Sequence, residues 1–269
     1  MAEHEVVHVA IAPPSTLDEE MVKKAAVIVA KNPYETRLRL TGKIPKIIAN
    51  YDSMQMAEST ARSLRELGLV AIVCTDSELR KSSQIFKARN LKLEEQAITF
   101  CDRSGQARRM EAREAFLILG GRMQTYTDTE VIKTTRKLNV TATLLTGGIP
   151  IMKKVEKKTT TRSFQTESFL RLYDRTSPEL AVEILQHDFD YSFLGTEMAS
   201  SSTANLNTTV AKIRNAFPQA IFDDRLVAPF GSDMHSTVPQ ESIEVNCKLI
   251  YWYHQAVSNL GSSAQNQLG

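Results

Sequence analysis

Side chains able to do chemistry gather in the last third of the chain. His187-Asp188-Phe189-Asp190 brings an imidazole close to two carboxylates, and Asp223-Asp224-Arg225 adds two more, with His235 a further ligand type. Hard carboxylate oxygens beside an imidazole suit a divalent cation such as magnesium or manganese. On such a metal, Asp190 and Asp224 would activate water against a phosphate ester. In a strand, Asp188 and Asp190 share a face, whereas the neighbours Asp223 and Asp224 point opposite ways. The spacing fits no established ligand motif, and the competing reading is local: loop carboxylates that cap turns and pair with Arg225.

Other reactive groups lack partners in sequence. Ser200-Ser201-Ser202-Thr203 precedes a helical pattern and offers hydroxyls and backbone N–H groups to an anion, but these residue types equally serve as helix caps. No general base is adjacent to make one of them a nucleophile. His8 lies among valines and reads as a satisfied core or edge histidine. Phosphate-binding glycine loops, the dinucleotide fingerprint and the His-Glu-x-x-His zinc motif are absent, as is the Gly-x-Ser-x-Gly elbow. Gly120-Gly121 and Gly147-Gly148 read as turns. No cofactor is expected.

Charge is unevenly spread. The 269 residues hold 33 Lys+Arg against 31 Asp+Glu, a net charge of +2. Within residues 131–162, however, Lys133, Arg136, Lys137, Lys153, Lys154, Lys157, Lys158 and Arg162 face Glu156 alone, and the segment beyond is acidic. Lys153, Lys154, Lys157, Lys158 and Arg162 are therefore the candidate anion-binding set. They suit phosphates through counterion release, or the protein's own acidic third. No aromatic residue is interleaved for stacking on single strands. Tyr251-Trp252-Tyr253-His254 concentrates aromatic surface near the C-terminus, and Tyr251, Trp252 and Tyr253 are candidate interface anchors.

The elements that must position these groups follow from periodicity. Val6 to Ala12 reads as a strand closed by Pro13-Pro14. A helix follows, capped by Ser15 or Thr16, and ends at Asn32-Pro33. Arg37 to Thr41 and Ile44 to Ala49 read as strands. A helix capped by Asp52 or Ser53 stops at Gly68, and Leu69 to Thr75 is a β-branched strand. The order β-α-β-β-α-β resembles the ferredoxin-like arrangement over residues 5–79, an arrangement that serves many functions.

Alternating stretches at Phe86 to Leu93, Ala97 to Cys101, Gln106 to Met110 and Phe116 to Leu119 predict antiparallel strands. A helix from Thr127 or Asp128 to Leu138, a turn at 146–150 and a mobile basic stretch from Met152 to Arg162 form a connector. Beyond it, strands at Phe164 to Tyr173, Val182 to Gln186 and Ala220 to Phe222 accompany helices over Leu206 to Phe217 and Glu241 to Leu260. The fold class is α+β, divided as a ferredoxin-like domain (1–82), an antiparallel β extension (83–126), a basic connector (127–162), a C-terminal α+β domain (163–260) and a disordered tail (261–269).

Three widely spaced cysteines, no secretory leader and no apolar run of membrane-spanning length point to the cytoplasm, without membrane insertion. The first functional reading is a non-enzymatic binding or regulatory protein, acting on a protein partner or a second copy of itself, with small-ligand binding a variant. The second is a metal-dependent phosphoester hydrolase at Asp188, Asp190, Asp223 and Asp224, with His187. The third is a nucleic-acid accessory protein using the basic connector.

Overall fold

The computed structural model describes the backbone of residues 5–138, 152–227 and 240–265, and side chains over 5–123, 166–227 and 243–259. Two compact units divide the chain: Met1–Met123 with Glu167–Gly269, and Gln124–Thr166. Segments 1–82, most of 83–126 and most of 163–260 thus belong to one unit, and the whole of the basic connector, 127–162, belongs to the other.

The first unit begins with strand β1 (Val7–Ile11), helix α1 (Glu19–Ile28), helix α2 (Pro33–Leu40), strand β2 (Lys46–Tyr51), helix α3 (Met54–Glu66) and strand β3 (Ala71–Thr75). The cap of α1 is Asp18 rather than Ser15 or Thr16: its carboxylate accepts from Met21 N at 2.6 Å, and Glu19 and Glu20 complement the helix dipole. Arg37 to Thr41, expected as a strand, is the end of α2 and its C-cap. Helix α1 ends earlier than expected, at Ile28 with Val29 as its C-cap, and Asn32 and Pro33 instead start α2, with Asn32 Oδ1 accepting from Glu35 N at 2.7 Å and proline at the first helical position. The ferredoxin-like order thus gives way to β-α-α-β-α-β, with a three-stranded sheet ordered β2-β1-β3. Both pairings are antiparallel, and the class remains α+β. At the end of α3, Gly68 takes the left-handed φ of +82° that favours glycine.

Strand β3 runs into the short helix α4 (Asp76–Arg80) through a capping box of Thr75 and Glu78. The alternating stretch at 86–93 is two strands, β4 (Gln84–Ala88) and β5 (Asn90–Leu93), which join different sheets. Strands β5, β6 (Ala97–Cys101) and β7 (Ala107–Glu111) form an antiparallel meander. The long strands β8 (Ala115–Leu138) and β9 (Met152–Asp174), with β10 (Leu180–Leu185) and β11 (Ile221–Leu226), complete a five-stranded sheet ordered β11-β8-β9-β10-β4. A 3-10 turn (Ser192–Glu197) and helix α5 (Ser202–Ala216) lie between β10 and β11, and helix α6 (Gln240–Gln265) ends the described chain.

Strand alternation assigns the layers. On β9, Leu170 and Leu172 join a cluster with Ile98 and Phe100 of β6 and Leu206 and Ile213 of α5. Phe169 and Tyr173, one position out of step, pack with Cys247, Ile250 and Tyr251 of α6. The opposite side of α6, Val245, Leu249 and Tyr253, covers Ala10, Ile72 and Cys74 of the first sheet. Helix α6 is therefore sandwiched between two sheets, and apolar residues on two sides follow from that.

Three further expectations change. Gly120-Gly121 lies within β8, not in a turn. At Gly121 any Cβ would collide with the Phe169 ring, so the glycine admits that ring against the strand. The segments 127–138 and 152–162 are strand rather than helix and mobile linker, consistent with their β-branched threonines, valines and isoleucine. Residues 261–265, expected in a disordered tail, continue α6. Gly147-Gly148 and His235 lie outside the described residues.

Candidate functional site

The turn after β10 holds His187, Asp188 and Asp190. Arg89 and Arg103 both donate to the Asp188 carboxylate, Arg103 at 2.7 Å. Asp190 accepts from Ser192 N at 2.9 Å and from Ser192 Oγ at 3.0 Å, fixing entry to the 3-10 turn. His187 donates its backbone N–H to Glu167 at 2.9 Å, while its ring Nδ1 lies 3.5 Å from Ser202 Oγ. Ser202 and Thr203 hydroxyls also accept from Gln186 Nε2 at 3.0 and 2.9 Å. The serine-rich stretch is thus engaged in holding α5 to β10.

Asp223 and Asp224 sit on β11 with opposite exposure, Asp223 buried and Asp224 exposed. The Asp223 carboxylate accepts from Arg225 Nε at 2.8 Å and Nη2 at 2.6 Å, and lies 2.6 Å from His254 Nε2 on α6. Burial alone would raise its pKa. The hydrogen bonds from His254 and Arg225 outweigh that and hold the carboxyl well below the usual carboxylate range. Arg225 also stacks on the Tyr253 ring at 4.6 Å and donates to Lys43 O at 3.2 Å. This joint ties β11 to α6 and to the segment before β2. Asp190 is committed to donors in its own turn, Asp188 to the distant Arg89 and Arg103, and Asp223 to Arg225 and His254. Among the described residues no group of three or more His, Cys, Asp or Glu side chains is arranged to hold a metal ion.

Lys153, Lys154, Lys157, Lys158 and Arg162 lie on β9 within the second unit, where only the backbone is described. Tyr251 is fully buried between Phe116 and Tyr173, with ring centroids at 5.3 and 5.6 Å. Trp252 and Tyr253 are half-buried against the first sheet. The interface expected at Tyr251 is internal, because α6 has a sheet on each side. His8 is satisfied as expected, Nδ1 lying 2.9 Å from Asn50 Oδ1 and Nε2 3.0 Å from Asp76 Oδ1.

A different cluster lines a polar concavity. A cleft of about 480 Å³ is lined by Arg108, Arg109 and Met110 of β7, Arg113 and Glu114 of the following turn, and Asp174, Arg175 and Thr176 where β9 turns into β10. Four guanidiniums thus face two carboxylates across the lining. Arg109 is backed by Glu94, and Arg113 by Glu111 at 2.8 Å. Arg108 approaches Asp174 only to 3.7 Å. One Asp174 oxygen is occupied with its own turn, accepting from Thr176 N at 2.8 Å and Ser177 N at 3.3 Å. Arg175 has no carboxylate partner among the described residues and lies over the Phe116 ring at 5.2 Å. Glu114 likewise turns back to accept from Glu111 N at 3.0 Å.

Sequence reasoning missed this cleft because its halves are some sixty positions apart. The available signal was the arginine density from Arg103 to Arg113, with Arg108, Arg109 and Arg113 flanking a turn. Only the docking of the β5-β6-β7 meander against β9 brings Arg175 to them. No protein-family model, curated protein or solved structure matches this chain.

Proposed function

We propose that the protein acts by binding, and that its ligand is an anion held in the arginine cleft. The observation that carries this reading is the convergence of Arg108, Arg109, Arg113 and Arg175 on one concave surface whose two carboxylates turn toward their own backbone. Guanidinium groups bind carboxylate and phosphate in a planar, bidentate geometry. The rim pairs Arg109–Glu94 and Arg113–Glu111 leave arginine side chains 55% and 80% exposed. Such pairs contribute roughly 0–1 kcal/mol, so an incoming anion exchanges them at little cost while their carboxylates keep the guanidiniums aimed.

Support for the setting comes from the three free cysteines, Cys74, Cys101 and Cys247, which suit a reducing, cytoplasmic environment. Among the described residues no helix is long and apolar enough to cross a membrane. A partner protein is favoured as the source of the anion, since the cleft borders an open strand edge.

Calorimetric titration with inorganic tripolyphosphate tests the reading. Saturable binding is expected that weakens by about tenfold for each arginine lost in R113Q and R175Q, the scale of one charge-assisted hydrogen bond. Unchanged affinity in the double variant would overturn it.

A further inference from the structure

The cleft is bordered by the outer edge of β7, and the backbone there is available. Among the described residues strand β7 has a single neighbour, β6, in the order β5-β6-β7. Their register pairs Ile98 with Met110 and Phe100 with Arg108. Just beyond the strands, Ala112 N donates to Gln96 O at 2.9 Å and Asp102 N to Gln106 O at 3.0 Å. Hydrogen-bonded pairs in an antiparallel ladder recur every second residue. Met110 and Arg108 therefore turn their peptide groups toward β6, and Ala107, Arg109 and Glu111 turn theirs outward. The Glu111 N–H is taken by Glu114. Ala107 and Arg109 are both exposed, and their outward peptide groups have no hydrogen-bond partner among the described residues.

We infer that the ligand class is an extended acidic peptide segment of a partner protein, which adds to the free edge of β7 with its carboxylates on the arginines of the cleft. This rests on the anion-binding reading above and sharpens it. An exposed edge is a template for strand addition, in which main-chain hydrogen bonds give affinity and side-chain contacts give specificity. The exposed edge positions at Ala107 and Arg109 are spaced as a strand partner requires. The flanking charge is the selective element. Arg109 lies on the edge itself, Arg113 at its end and Arg175 across the cleft, so a basic or apolar strand meets like charge or leaves guanidiniums unpaired. The exposed pairs of Arg109 and Arg113 exchange one carboxylate for another.

Backbone methylation of the ligand separates strand addition from charge attraction. The probe is a fluorescein-labelled peptide of alternating glutamate and valine, seven residues long. It is compared with two forms N-methylated at either the odd or the even positions, all carrying the same charge. In strand addition only one alternating set of amides faces β7. One methylated form should therefore bind about tenfold or more weakly, the scale of two lost backbone hydrogen bonds, while the other stays within about threefold of the parent. Parent binding should also fall in R109Q and R113Q. Equal affinity of the two methylated forms, both tight or both weak, overturns strand addition. If tripolyphosphate still binds in an Arg113- and Arg175-dependent manner, only this inference fails. If neither peptide nor tripolyphosphate responds to those arginines, the anion-binding reading fails with it.

Discussion

Strand β9 leads into the cleft at Asp174, and three residues earlier it carries the most deeply buried ion pair among the described residues. Arg171 and Glu183 are directly opposed across β9 and β10, with Nε to Oε2 at 2.7 Å and side chains only 5% and 4% exposed. Arg171 also lies over the Phe169 ring at 5.3 Å. At an effective dielectric near 20, opposite charges about 4 Å apart attract by about 4 kcal/mol, most of which offsets their desolvation. Removing one partner leaves the other buried and uncompensated. R171M is therefore expected to destabilise the protein by about 3–5 kcal/mol at pH 7. The double variant R171M/E183L, which removes both charges and keeps apolar volume, should return to within about 1 kcal/mol of the parent or exceed it. Urea unfolding of the four proteins in the cycle provides the measurement. A single-variant cost below about 1 kcal/mol, or a double-variant cost equal to the sum of the singles, would refute the assignment of a desolvated, mutually dependent pair.

Other consequences follow from the same physics. Asp223 is held ionised below its unfolded pKa, so its contribution is complete above the unfolded value near 3.9 and is lost as pH falls below it. D223N should cost about 3 kcal/mol at neutral pH and flatten the acid limb of the stability profile, measured by denaturation from pH 2 to 7. Lys248, 1% exposed, donates to Glu78 O at 2.8 Å and Leu79 O at 3.3 Å and also reaches Lys81 O at the end of α4. K248M should cost about 2–3 kcal/mol and speed amide exchange at residues 76–81, whereas unchanged exchange there would contradict the capping role. The Tyr251 hydroxyl is the one buried side-chain polar atom without a hydrogen-bond partner among the described residues. Y251F should therefore be neutral or stabilising by about 1 kcal/mol, and a loss above that in thermal unfolding would show that the hydroxyl is bonded. Replacing Gly121 by alanine should cost about 1–3 kcal/mol through displacement of Phe169, with partial recovery in G121A/F169L.

Local chemistry explains what was legible in the sequence. The Val6–Ala12 strand, the Ser53 cap, the Gly68 stop, the turn at 102–105 and the helix after Ser201 each depend on a few neighbouring residues. Arg37 to Thr41 misled because Leu38 and Leu40 alternate like a strand, while the deciding contact lies upstream at Asn32, Pro33 and Glu35. The double-sided burial of α6 was hidden for another reason. Tyr251, Trp252 and Tyr253 read as surplus aromatic surface unless one knows that a sheet lies on either side. The candidate site fared least well. Asp188 and Asp223 attracted attention as clustered carboxylates, yet Arg89 and Arg103, far upstream, neutralise the first, and His254 on α6 helps hold the second. The same non-locality hid the cleft. Arg175 meets Arg108 and Arg109 only through sheet packing, and the parallel pairings β4–β10 and β8–β11 that build that sheet join segments roughly a hundred positions apart.

The most direct test of the central claim is a map of amide chemical-shift changes on titrating inorganic tripolyphosphate into the full chain. Binding in the arginine cleft predicts saturating shifts at Arg108–Glu114 and Asp174–Thr176, abolished in R113Q/R175Q. Shifts confined to Lys153–Arg162 on β9, with the cleft silent, would contradict it and place the anion on the basic strand instead.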